Sequence, residues 1–170
     1  MPVLGRLSGV ALSLAMGTLG HAAEPAAVRS VPAITESGAQ QVIAAAEREA
    51  EKLHAPVAVA VVDGSGILVA FVKMDGVRPG SPDLAIGKAR TSALLQRPSA
   101  ETEDNVDKGR VAFVTAGLMT LRGGMPLKAG DEVVGAVGVA GLNKDNDVAI
   151  AEAAASAFSA IAAKGGAPSK

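Results

Sequence analysis

Residues 57–91 read VAVAVVDGSGILVAFVKMDGVRPGSPDLAIGKART, and this stretch decides the fold. Val57 to Val62 is continuously apolar and rich in β-branched residues, which predicts a strand buried on both faces. Asp63-Gly64-Ser65-Gly66 is a turn signal, and Ile67 to Met74 predicts a second strand. So short a loop joins only antiparallel neighbours, so the two strands form a hairpin, expected at the centre of a sheet. Asp75-Gly76 ends it. Ser81-Pro82-Asp83 marks a helix start: a cap, a proline at the first helical position, and an acid near the positive end of the dipole. That helix is expected to reach about Gln96 and to stop before Pro98.

Working outward, Glu24 to Ala33 is a loose polar arm containing proline. A helix then starts near Thr35 or Ser37, and Ser37 with Gln40 has capping-box spacing. Val42, Ile43, Ala46, Ala50 and Leu53 recur at helical spacing, so this helix is amphipathic. Beyond the second helix, Ser99 to Arg110 is charged and reads as irregular, with a helical turn at Ser99. Val111 to Leu121 fits helix or strand equally, and Arg122 to Pro126 reads as a glycine-rich loop. Leu127 and Glu132–Val139 flank Lys128–Asp131 as a second hairpin. Gly135, Gly138 and Gly141 thin its second strand, where a helix, another backbone or a ligand approaches closely. Asp145 or Asp147 opens a last, alanine-rich helix to about Ala163, followed by a mobile tail at 165–170. This order predicts an α+β fold with a mainly antiparallel sheet of about five strands, flanked by helices. One domain over 34–164 holds it.

The first 23 residues read as a secretory signal peptide: Arg6, then an apolar stretch from Leu7 to Gly20, then small residues at Ala22 and Ala23. The expected product is periplasmic or secreted and has no integral membrane association after cleavage. The chain has no Cys, which excludes a lipid-anchored lipoprotein, a cysteine nucleophile and any disulfide. Without Arg6, fifteen basic residues face seventeen acidic ones, a formal charge of −2. That near balance, with three Phe and no Tyr or Trp, gives no footprint for nucleic acid.

His54 is the one histidine outside the leader, so zinc sites of the usual kind and a Ser-His-Asp triad find no support, and no metal site is expected. Gly87-Lys88 lacks the upstream glycine and the following Ser or Thr of a phosphate loop. Asp63, Asp75 and Asp83 sit near chain reversals, either as turn and cap residues or as a small acidic cluster. Lys88 and Thr91 lie on one otherwise apolar helical stripe with Leu84 and Leu95. Either they meet a ligand, or Lys88 snorkels to water and Thr91 bonds a carbonyl one turn back. His54, at the end of the first helix, either favours the negative end of its dipole or binds haem iron.

Several segments resemble the GlcG/HbpS family of haem-binding proteins. They are Ala55–Asp63, Gly66, Met74-Asp-Gly76, Lys88-Ala-Arg-Thr91, Arg97-Pro-Ser99, Gly123-Gly-Met-Pro-Leu127, Val134–Gly141 and Asp147, in family order. The resemblance implies a profilin-like fold, related to the C-terminal domain of PduO-type proteins. It implies an exported protein that binds haem or a related tetrapyrrole, acts in haem or iron handling or sensing, and forms homo-oligomers. Thr91 carries over as a haem-site residue and Lys88 belongs to the same motif, with His54 as the third candidate. Asp83 and Ile86 stand where some members carry a Glu-x-x-Glu pair suited to iron. Two alternatives stay open: an enzyme that degrades haem or acts on another small molecule, and an oligomeric regulator or scaffold of the envelope.

Overall fold

A computed structural model describes residue 27 and residues 30–165. The expected signal peptide lies outside the described residues, as do most of the arm before residue 30 and the tail beyond 165. The elements all belong to the unit Val31–Lys170.

Helix α1 (Glu36–Lys52) starts at Thr35, whose side chain accepts the Gly38 amide at 3.1 Å. The capping residue is therefore Thr35, not Ser37. The helix closes with paired bonds, His54 N–H to Glu51 O and Ala55 N–H to Ala50 O, while His54 takes φ +50°. This is the left-handed closure that satisfies terminal carbonyls.

Strands β1 (Ala58–Asp63) and β2 (Leu68–Lys73) form the expected hairpin. Asp63 Oδ1 accepts the Ser65 and Ile67 amides at 2.8 and 3.0 Å, and Gly66 supplies φ +80°. Strands β3 (Gly124–Ala129) and β4 (Glu132–Ala140) form the second hairpin. The sheet order is β2-β1-β4-β3, antiparallel throughout. β1 and β4 are therefore central and β2 is an edge, which corrects the central placing of the first hairpin. The described sheet has four strands where about five were expected. The ambiguous segment forms a short helix, α4 (Ala112–Thr115), and a loop around Gly117 at φ +74°. β3 absorbs Gly124 to Pro126, which had read as loop; an edge strand tolerates proline.

Helix α2 (Ser81–Leu95) has Gly80 at its N-cap. Ser81 lies inside the first turn with its hydroxyl buried and unpartnered, so it is not the cap. The charged segment expected to be irregular is a nine-residue helix, α3 (Ser99–Asp107). The Ser99 hydroxyl donates to Leu121 O at 2.7 Å and accepts the Gly124 amide at 2.8 Å, which ties α3 to the start of β3. Helix α5 (Lys144–Gly165) begins where Asn143 Oδ1 accepts the Asp145 and Asn146 amides. Asp147 is turned inward instead of capping the helix.

The sheet lies between two helical layers. On one face Val57, Val59, Val61, Val137 and Val139 pack with α1 and α5. On the other, Ala58, Ala60, Ala136 and Ala140 meet Ala85, Ala89 and Ala93 of α2. Such small residues let the helix backbone rest almost on the strands. A Cβ at Gly138 would sit 2.1 Å from Ala85 O, so the thinning glycine serves helix packing. Among the described residues no helix is long and apolar enough to cross a membrane.

Candidate functional site

α2 fixes the site, because its close seat on the sheet carries Lys88 inside the molecule. Lys88 is 4% exposed. Its ammonium donates to Val139 O at 2.8 Å and to Asp147 Oδ2 at 2.7 Å. Asp147 Oδ1 accepts the Gly141 amide at 2.7 Å. A buried charge needs both a counter-charge and hydrogen bonds, and this pair has both. Gly123 and Gly124 make the room: a Cβ at Gly123 would lie 3.2 Å from Lys88 Nζ, and one at Gly124 would lie 2.3 Å from Lys88 O. Lys88 therefore neither snorkels to water nor stands free for a ligand; it latches α2 to β4 and α5.

Thr91, one turn on, is 1% exposed. Its hydroxyl accepts the Met119 amide at 2.9 Å rather than bonding a carbonyl of its own helix. This pins the α4–β3 loop over α2. Met119 then lies on Gly87, where an added Cβ would meet its Cε at 2.9 Å. Loop and helix enclose a groove of about 380 Å³ lined by Gly87, Arg90, Thr91, Leu94, Val114 and Met119, among others. Leu94 and Val114 are each 54% exposed along it. Arg90 Nε donates to Gly66 O at 3.0 Å, which holds its guanidinium at this end of the sheet. Arg97 and Arg110 lie 5.7 and 5.0 Å from the Phe113 ring centroid and steady α4.

His54 lies elsewhere. It lines a cavity of about 140 Å³ with Pro56, Asn143, Asn146 and Asp147. Lys88 and Asp147 border another cavity, of about 170 Å³, with Arg78 and Arg122. The structure thus brings Lys88 and Thr91 onto one helix but into different cavities, and His54 is absent from the Thr91 groove. Asp63, Asp75 and Asp83 do not gather: among the described residues no group of three or more His, Cys, Asp or Glu could hold a metal.

Arg122 is bonded to Glu103 and reaches Asp104 Oδ1 at 3.1 Å. The Glu103 hydrogen bond, opposed by desolvation and helped by the charges of Glu103, Asp104 and Asp145, raises its pKa above the ordinary arginine value. Arg78 and Arg122 carry no site signal in the sequence, Met119 reads there with Met74 and Met125 as a weaker ligand candidate or a packing residue, and Asp147 reads as a helix-start residue. Asp147 also carries a signal, as a member of the resemblance.

Four antiparallel strands between helices, with a groove of ligand-binding size on α2, define a small α+β protein of ligand-binding type. The chain belongs to the HbpS-like family: the model of the family described as "Haem degrading protein HbpS-like" matches residues 34–156. It is 41% identical to Protein GlcG of Escherichia coli K12 over 107 residues, 62% of this chain and 80% of that protein. Its fold is similar to that of a double mutant of Streptomyces reticuli HbpS, with TM-score 0.70 and 33% identity over 79% of this chain and 97% of the other. It is also similar to the PduOC:heme complex, with TM-score 0.67 and 27% identity over 74% and 94% of the respective chains.

Proposed function

We propose that the protein binds haem, or a closely related tetrapyrrole, in the groove along α2, and that it does so in the periplasm or outside the cell. The observation that carries this reading is the groove pinned open by Thr91 and Met119. Its volume of about 380 Å³ lies within the usual range of ligand sites, as does that of a groove of about 430 Å³ between β3 and α5, whereas the cavities at His54 and Lys88 lie below it. The residues fit the group. Leu94, Val114 and Leu118 offer apolar surface to a macrocycle, Arg90 offers a guanidinium to a propionate, and Met119 offers a thioether of the kind that ligates haem iron. Membership of a family described as haem degrading, and similarity to a haem complex, support the same ligand.

Bound haem supplies a redox-active iron. The chain's own part is to hold and orient it. Thr91 positions the Met119 loop, and Lys88 positions α2 through Asp147. The family description also favours a second reading, haem degradation. The groove lining holds no carboxylate and no imidazole, so binding is the better-supported role. The leader-like residues 1–23 support export, and homo-oligomers are proposed as the assembled form.

Haemin titration tests the site. A saturable Soret shift is expected, at least tenfold weaker in Thr91→Val and in Met119→Ala, about 1.4 kcal/mol each. His54→Ala leaves the shift in place, because His54 does not line the groove. No saturable shift, or equal affinity in the Thr91 and Met119 variants, overturns the assignment. Iron release from the haemin complex under reductant and oxygen would move the reading from binding to degradation.

A further inference from the structure

The cavity of about 170 Å³ beside the Lys88–Asp147 pair is separate from the Thr91 groove, and its lining holds more cations than carboxylates. Arg78, Lys88, Arg122 and Lys144 line it, against Glu103 and Asp147. Both carboxylates are engaged: Asp147 by Lys88 and the Gly141 amide, Glu103 by Arg122. Arg122 is in turn matched by Glu103 and Asp104, with Asp145 acting on it from outside the wall. Arg78 and Lys144 have no carboxylate within 4.0 Å among the described residues. Arg78 spends one N–H, from Nη2 to Gly141 O at 2.8 Å. That bond fixes the guanidinium at the cavity and leaves its other donors unspent.

The rest of the wall is apolar, chiefly Leu84, Leu121 and Leu142. At about 170 Å³ the cavity has room for a ligand of a few heavy atoms and not for a tetrapyrrole. Two cations without an ion-pair partner among the described residues, beside an aliphatic wall, match an anion that carries a short hydrocarbon body. Arginine's planar fork suits a carboxylate in particular. We propose that this cavity is a binding site for a small organic carboxylate, held by Arg78 and Lys144 with its hydrocarbon part against Leu84 and Leu121.

The test is an amide NMR titration of the protein with sodium butyrate at constant ionic strength, beside n-butanol and inorganic phosphate. Saturable shifts at the Gly141 and Leu142 amides are expected with butyrate. Arg78→Gln and Lys144→Gln should each weaken them at least tenfold. Lys144 is exposed, so its variant keeps the test open if Arg78→Gln destabilises the end of β4. No saturable shift, or unchanged butyrate affinity in folded variants, overturns the proposal. Butanol binding as tightly as butyrate overturns the role of the cations, and phosphate doing so overturns the carboxylate assignment. The Soret readout reports a different cavity, so failure of either proposal leaves the other standing.

Discussion

Lys88 carries its charge into the interior, with its side chain only 5% exposed, and one carboxylate from the far end of the chain meets it there. Removing one partner of such a pair leaves an uncompensated buried charge, which costs about 3–5 kcal/mol. Asp147→Ala and Lys88→Met are each expected to lose roughly that much in urea unfolding. The double variant should lose far less than their sum, because no lone charge remains. Additive losses would show that the two groups do not act as a pair. The sequence revealed that two polar residues interrupt an apolar stripe. It did not reveal their partners, since Asp147 is 59 residues from Lys88 and Met119 is 28 from Thr91. Periodicity reports the face a residue occupies, whereas pairing across elements is a property of the folded chain. The same reason hid Arg78, whose use depends on Gly141, 63 residues on.

Elements were most legible where local chemistry governs. The β1–β2 hairpin follows from its turn residues, and α2 ends next to the residue that steric conflict with Pro98 predicts. β3 was missed up to Leu127, because an edge position excuses Gly124 and Pro126 from the usual strand preferences. α3 was missed because its polar sequence has no apolar stripe; Ser99 and the Arg122 contacts hold it instead. The packing of α2 on β4 gives a sharp prediction. Gly138→Ala places a methyl 2.1 Å from Ala85 O, and a helix backbone cannot step aside as a side chain can. A loss of roughly 1–3 kcal/mol or more is expected in denaturant unfolding. Gly64→Ala serves as the control: its Cβ meets nothing nearer than 3.8 Å, so a change within about 0.5 kcal/mol is expected. Equal effects at the two glycines would contradict the close seating of α2.

At the scale of the whole molecule, the α+β order and the antiparallel sheet were readable from the succession of elements, and the strand count was not. Among the described residues the sheet ends in two unpaired edges, and one of them is apolar. Ile67, just before β2, is 61% exposed, and Leu68 and Phe71 on β2 are 41% and 38% exposed. Long-lived monomers seldom leave such an edge uncovered, which supports the homo-oligomer proposed above. Light scattering at micromolar concentration should give a mass above that of one chain, and Phe71→Lys should lower it. A monomeric parent protein would remove this support. The two faces of the sheet also set opposite rules for how the sequence can drift over generations. Where Val59 and Val139 meet α1 and α5, stability rests on filled volume, so a trimmed side chain leaves a hole. Where Ala60 and Gly138 meet α2, it rests on backbones that nearly touch, so an enlarged side chain forces them apart. Neighbouring positions on one strand are thus barred from change in opposite directions, and a lineage can relieve a swelling on the α2 side only by shrinking the residue it strikes.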